Sequence, residues 1–411
     1  MSRAAGGGRS DRLQEGIFFR RGERPPPCWR LLLLEIAPGT PPREARASLG
    51  AILRMLAALR SGRVRELRGQ TASGVDATRE TFGELAALIG YGRSFFDTAR
   101  HDPPLTDCLR PEFLAYLPSR GDPFPATPWA DRPGPAGEAD IALQITGAAV
   151  AAVNRAAVEV WKLIEDEGLP LGVAASFEGF GRPDGRGWLE FHDGVANMAS
   201  NQRIHAIAAA ADPNWMAGGT YMTFLRLRVD LRIWRTLDRG DQELIVGRDK
   251  LTGSPLLGVK RDAGGRARPI AGPPLPERPT RQQRAARADA PQTTDRLLEA
   301  SHVHRANQNR ASPEAPAGLR LFRQGYEFLD SIGPDGPELG LNFVSFQSDL
   351  GKLQHVMHLP GWLADVNFGG PAAPAPGDPP SPRFIALLAG GLYAVPPRNR
   401  PFPGARLFGP R

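Results

Sequence analysis

The stretch GTYMTFLRLRVDLRIWRTL, residues 219–237, changes its period halfway along. Over 219–229 apolar and polar residues alternate, the pattern of a half-buried strand. Over 230–237 Leu231, Ile233, Trp234 and Leu237 come to the spacing of a short helix. The same grammar recurs on either side. Upstream, 31–37 predicts a strand and 43–60 a helix with Leu49, Ile52, Leu53, Leu56 and Leu59 on one face. A second, shorter helix is expected over 78–89. A connection rich in Pro, Gly and Asp fills 111–137, a strand follows over 140–145, and an amphipathic helix over 148–165 carries Val150, Val153, Val160, Trp161 and Ile164. Downstream, 341–347 predicts a strand, 353–359 a helix, and 384–395 an apolar strand or a hairpin around Gly390 and Gly391. Strand and helix thus alternate in each half, which favours two packed α+β domains over an all-helical protein. The boundary is expected between 172 and 215, and the loops 261–291 and 369–382 are expected outside the core.

The 411 residues are 41% hydrophobic and 23% charged, the balance of a soluble globular chain. No apolar run reaches the length of a membrane span. The opening MSRAAGGGRSDRL leads into no apolar segment, so no secretory signal is expected. Two cysteines, Cys28 and Cys108, make no disulfide framework, and a cytoplasmic location fits best. The net charge of +7 is dispersed, part of it in the Pro-, Ala- and Arg-rich stretch 261–287. No helix carries a dense basic face, so nucleic acid is not an expected partner and a membrane is not either.

Seven histidines, at 101, 192, 205, 302, 304, 355 and 358, form no HExxH, and no cysteine stands near one at metal-ligand spacing. A single histidine still suffices for a metal that arrives in a macrocycle, and haem is that case. The glycine-dense stretch GFGRPDGRGWLEFHDGVANMA, residues 179–199, places Asp193-Gly194 as a turn and Asn197 as a cap or as members of a site. The residues by themselves leave both readings open. GYGRS and GFG do not fit a phosphate-binding GxGxxG between strand and helix.

Several stretches in order resemble the dye-decolourising peroxidase family of haem proteins, over roughly 14–397. They are GYGRSFFD (90–97), DGRGWLEFHDGVAN (184–197), GGTYM (218–222), QELIVGRDKLTGSPL (242–256), SHVHRAN (301–307), LFRQGYEF (321–328), GLNFVSFQSDL (340–350) and LLAGGLYAVPP (387–397). The resemblance implies an α+β fold of two ferredoxin-like domains with antiparallel sheets, of the dimeric α+β barrel superfamily type. It implies a flexible N-terminus over 1–13, an N-terminal domain over 14–185 and a distal connection over 186–214. A haem-binding domain over 215–397 and a tail over 398–411 would follow. It implies haem b, with His302 as the proximal iron ligand and Asp365 as a candidate partner for it. Asp193 and Arg323 become the distal catalytic pair, and Gly194 and Asn197 match the same motif. The implied activity is reduction of hydrogen peroxide through a ferryl intermediate, with a small organic reductant such as a dye or phenol supplying single electrons. A homo-oligomer is compatible with this. Trp188, Trp234, Tyr326 and Tyr393 are candidate electron relays, or simply core aromatics.

Three positions depart from the pattern: Glu190 stands for a glycine, Met198 for a proline and Gln324 for the second of two arginines. These leave an alternative of another class, a haem carrier or sensor of the same fold with little peroxidase turnover.

Overall fold

The computed structural model describes residues 12–61, 85–96, 139–192, 198, 200–209, 214–274, 293–306, 321–334, 336–350, 352 and 368–409. The first half runs β1 (Cys28–Ile36), α1 (Pro42–Arg60), β2 (Ala86–Tyr91), β3 (Ile141–Gly147), α2 (Val150–Glu167) and β4 (Leu171–Phe180). Then come α3 (Ser200–Ile207), β5 (Thr220–Val229), α4 (Leu231–Trp234), α5 (Arg239–Val246), β6 (Leu256–Arg261) and β7 (Ala267–Ala271). The chain continues with α6 (Arg296–Glu299), α7 (His302–Arg305), β8 (Phe322–Arg323), β9 (Tyr326–Gly333), β10 (Gly336–Gln347) and β11 (Ile385–Val395).

One antiparallel sheet takes the order β5-β11-β2-β3-β1-β4-β9-β10 and closes on itself through β10–β5. Each half contributes four strands in the same relative order, β2-β3-β1-β4 and β9-β10-β5-β11, which is the ferredoxin-like order. The seams between the halves are thin. Phe180 opposite Glu327 joins β4 to β9, and Ala394 opposite Tyr91 joins β11 to β2. The two sheets expected from the sequence therefore meet edge to edge in one barrel.

Closure explains the apolar run of β1. Its odd-numbered residues Trp29, Leu31 and Leu33 fill the barrel, beside Phe224, Tyr326 and Phe346. Its even-numbered residues Leu32, Leu34 and Ile36 face outward and are covered by Leu49, Ile52 and Leu56 of α1 and Val153, Val160 and Ile164 of α2. A strand buried on both faces reads as continuously hydrophobic. Strand β5 behaves likewise: residues 220–226 are all buried, so the half-buried strand expected there is covered on both sides. Helix α1 starts on Pro42, where a missing N–H costs nothing, and α2 ends on Gly168 in the left-handed region.

Two expectations are corrected. Residues 86–89, expected to end a helix, form β2, because Leu88 and Ile89 are buried on opposite faces between β3 and β11. A short apolar run does not separate strand from helix by period. The stretch 261–271, expected as loop, belongs to a β6–β7 hairpin that buries Ala267 against Leu244, Leu256, Leu297 and Leu298. Of the two alternatives left for 384–395 the structure has the strand, a single bulged one over 385–395 with Gly390 and Gly391 paired to Leu225 and Phe224. The 369–382 stretch is a loop, and it is pinned: the buried Asp378 carboxylate holds Arg261 at 2.8 Å and Arg296 at 2.5 Å. The expected helix 353–359 and the segment 275–291 lie outside the described residues. Among the described residues, no helix is long and apolar enough to cross a membrane.

Candidate functional site

His302 opens α7, a single turn that follows α6 after Ala300 and Ser301. Asp295 caps α6 by accepting from the backbone N–H groups of Leu297 and Leu298, and the Ser301 hydroxyl donates to the Leu298 carbonyl at 2.7 Å. Two glycines let neighbouring backbone approach this turn closely. A Cβ on Gly369 would stand 2.4 Å from the Ile245 carbonyl oxygen and 2.7 Å from the His302 nitrogen. Gly247, which ends α5 at φ +88°, has Ser301 Oγ where a Cβ would come within 2.4 Å. The His302 turn is thus seated between the end of α5 and the chain at 368–370, and Gly370 N–H donates to the Ala300 carbonyl at 2.9 Å.

The imidazole of His302 stacks on Phe368, with ring centroids 3.9 Å apart and planes 8° apart. Its Nδ1 lies 3.2 Å from the Phe368 carbonyl oxygen, a contact that assigns the proton to Nδ1 and the lone pair to Nε2. Burial lowers the pKa of His302 to about 4; the Phe368 carbonyl opposes the shift, while the positive charges of Arg323 and Arg248 add to it. The ring is therefore a neutral imidazole at neutral pH. The Arg323 effect also places its guanidinium within electrostatic reach of His302. His304, in the same turn, is buried.

Arg323 lies on β8, opposite Ser345 of β10. Its neighbours Phe322 and Gln324 are buried, whereas Arg323 is half-buried, so alternation points it to the other side of the strand. The chain leading toward Asp193 is held by Arg186. This guanidinium donates to the carbonyls of Glu190, Lys250 and Leu251 at 2.8 Å each and meets His192 Nε2 at 2.9 Å. Glu190 has φ +67°, the left-handed conformation that glycine adopts without cost, so the glycine of the family pattern marks a real backbone requirement. Its carboxylate pairs with Lys250 Nζ at 2.6 Å, and that hydrogen bond lowers its pKa.

Of the expected site residues, His302 and Arg323 are described, and the charge of Arg323 acts on the His302 ring. Asp193, Gly194 and Asn197 lie outside the described residues, as does Asp365. Sequence reasoning passed over Phe368, Gly369 and Arg248. A run of FGG at 368–370 was the available signal for a close backbone approach. Trp234, Tyr326 and Tyr393 are buried among core side chains. Among the described residues, no group of three or more His, Cys, Asp or Glu gathers as a metal site. The donor set present is one neutral imidazole with its proton fixed on the far nitrogen, which fits a haem iron, whose macrocycle supplies four ligands itself.

A closed antiparallel barrel whose two halves repeat the ferredoxin-like strand order defines the class: a duplicated α+β barrel. The chain belongs to the Dyp-type peroxidase family, whose C-terminal model matches residues 184–400. It is 29% identical over 329 residues to a dye-decolorizing peroxidase of Thermobifida fusca, matching 75% of this chain and 66% of that protein. It is 28% identical over 171 residues to a deferrochelatase of Escherichia coli K12, matching 40% of this chain and 35% of that one. The chain therefore spans less than two thirds of these curated relatives. Among solved structures, a DyP-type peroxidase from Streptomyces coelicolor superposes with a TM-score of 0.66 at 22% identity, covering 97% of this chain and 96% of the other. One from Cellulomonas bogoriensis gives 0.65 at 20% identity, with 94% of each chain covered. At such identities these two likenesses show the fold.

Proposed function

We propose that this protein is a haem b peroxidase that reduces hydrogen peroxide and takes single electrons from a small organic donor such as a dye or phenol. The observation that carries the reading is the neutral imidazole of His302, seated on glycine backbone within electrostatic reach of Arg323. His302 would hold the iron through Nε2, with Nδ1–H donating to the Phe368 carbonyl. A haem bound there supplies the iron that takes up peroxide and the redox equivalents that the donor replenishes.

The residues do the rest. Asp193 accepts the proton from the inner peroxide oxygen and returns it to the outer one, so that water leaves. Arg323 stays charged at every working pH and stabilises the negative charge that develops as the oxygen–oxygen bond parts. The electropositive surroundings of Arg323 and Arg248 also keep His302 neutral and able to bind a metal. With Nδ1–H given to the Phe368 carbonyl, that carbonyl takes the partner's role expected of Asp365; an N-terminal unit over 14–185 beside a haem-holding unit over 215–397 belongs to the same proposal.

The test is the visible spectrum of haem-supplemented protein before and after one equivalent of peroxide. A Soret band lost in His302→Ala, and a peroxide response slowed in Asp193→Asn and Arg323→Ala, supports the assignment. A stable Soret band in the parent with no peroxide response would leave a haem carrier or sensor of the same fold.

A further inference from the structure

Arg323 stands on a strand of two residues, β8, held to β10 by the pairs Arg323–Ser345 and Phe322–Phe346. So short a strand does not fix a guanidinium by its ladder alone. The two residues beside it are fastened from elsewhere. Gln324 is 2% exposed and its side-chain amide is used at both ends. Oε1 accepts from the Phe18 N–H at 2.7 Å, and Nε2 donates to the Gly16 carbonyl at 2.9 Å. Phe322 lies under the guanidinium of Arg203, 4.8 Å from its ring centroid.

Arg203 links the same parts in a second way. Its Nη1 donates to the Phe18 carbonyl at 3.3 Å and its Nε to the Met198 carbonyl at 2.9 Å. The strap 14–18 is itself tied to the barrel. Gln14 donates to the carbonyls of Ile89 and Pro396 and accepts from the Ile89 N–H, and Gln144 donates to the Gly16 carbonyl. One N-terminal segment, more than 300 residues away in sequence, thus reaches the residue after Arg323. Through Arg203 it also reaches Met198, close after Asp193 in the chain.

We propose that Gln324 and Arg203, working through the 14–18 strap, are positioning residues that aim Arg323 at a ligand bound on the distal side. Neither touches that ligand. The inference rests on the reading of Arg323 as the charge that meets it. It also gives the Gln324 departure a purpose: an arginine there has no acceptor to offer the Phe18 N–H.

The test uses full-length, haem-loaded protein and fluoride as probe, an anion whose hold on ferric haem reports a nearby guanidinium without turnover. Gln324→Met keeps the volume and removes both bonds to the strap. Its Soret band stays at the parental position, and its fluoride affinity falls about tenfold, a loss equivalent to about 1.4 kcal/mol. The Arg323→Ala, Gln324→Met double variant binds fluoride no more weakly than Arg323→Ala alone, because one residue acts through the other. Arg203→Met weakens fluoride in the same sense and Arg203→Lys restores part of it, which keeps the test decisive should Gln324→Met not fold. Parental fluoride affinity in both Gln324→Met and Arg203→Met, with Arg323→Ala weakened, overturns this inference and leaves the Arg323 reading standing. Parental affinity in Arg323→Ala overturns the reading, and the inference with it.

Discussion

Replacing Gly369 by alanine puts a methyl group where two backbones already meet. The new Cβ would lie 2.4 Å from the Ile245 carbonyl oxygen, 2.7 Å from the His302 nitrogen and 3.2 Å from the His302 Cα. Contacts below 3.0 Å do not persist, so the Ile245 carbonyl or the His302 turn must give way by about 0.6 Å or more. Neither obstacle is the end of a flexible side chain, and no rotamer change relieves them. Overpacking of this kind costs about 1–3 kcal/mol. Part of that cost falls on the turn, since Ile245 is fully buried in the core and His302 is half-buried. Gly172→Ala is the matched control: a Cβ there meets nothing within 4 Å. The assay is a urea titration of the apoprotein together with a haem titration followed by Soret absorbance. Gly369→Ala lowers the urea midpoint and weakens haem binding, while Gly172→Ala changes neither by more than a few tenths of a kcal/mol. Parental stability and parental haem affinity in Gly369→Ala would refute the close seating of the His302 turn.

Glu190→Gly relieves a left-handed residue worth about 1 kcal/mol and loses an exposed ion pair worth about 0–1 kcal/mol. Its urea midpoint is expected to stay level or rise slightly; a fall of more than about 2 kcal/mol would show that the Lys250 pair holds the turn. Asp378→Asn tests the pinned 369–382 loop through pH. Burial opposes ionisation of Asp378, but the Ala375 N–H and the guanidinium groups of Arg296 and Arg261 outweigh it and hold its pKa below 3.8. A carboxylate depressed in the folded state contributes its full share above its unfolded pKa and loses it as pH falls through the folded value. The parent should therefore lose stability more steeply than the variant below about pH 4, and parallel curves would count against the pairing. Peroxidase turnover is expected to persist into acid, with an optimum near about pH 4–5, the range where an ordinary aspartate ionises. Activity that vanishes below about pH 6 would disqualify Asp193 as the base.

The elements legible in the sequence were those whose period is imposed by one partner layer. Helices α1 and α2 show a 3.6-residue stripe because each lays one face on the sheet. Strand β1 shows as an apolar run, and β3 and β5 show as alternating stretches. Strand β2 was misread because its six residues carry no period that a helix end would not also carry. The β6–β7 hairpin was hidden by Arg and Pro, although Asp262 and Gly265 form the turn that joins its strands. Barrel closure left no mark in the sequence, since each seam depends on one residue pair between strands far apart in the chain. At the site, the resemblance points to His302 and Arg323, and the structure shows the charge of Arg323 acting on the His302 ring. The partners Phe368 and Gly369 were not named, because their role comes from a tertiary approach and not from any local pattern.

The short segment 247–251 explains how the two sides of the proposed pocket keep their spacing. At one end Gly247 abuts Ser301 and Val303, on either side of His302. At the other end Lys250 pairs with Glu190, and Arg186 clamps the Lys250 and Leu251 carbonyls, so the chain running to Asp193 is fixed to the same segment. Behind it stands α5: Glu243 accepts from the Lys250 N–H at 2.9 Å, and Gln242 accepts from Lys250 Nζ at 2.6 Å. On the proposed reading, a flat ligand held by His302 and met by Asp193 would need a gap of constant width. Two loops moving independently would not keep it. Indexing both to one helix does, and it accounts for a glutamate tolerated at a backbone position that favours glycine: Glu190 contributes a second tie to the segment that sets the width.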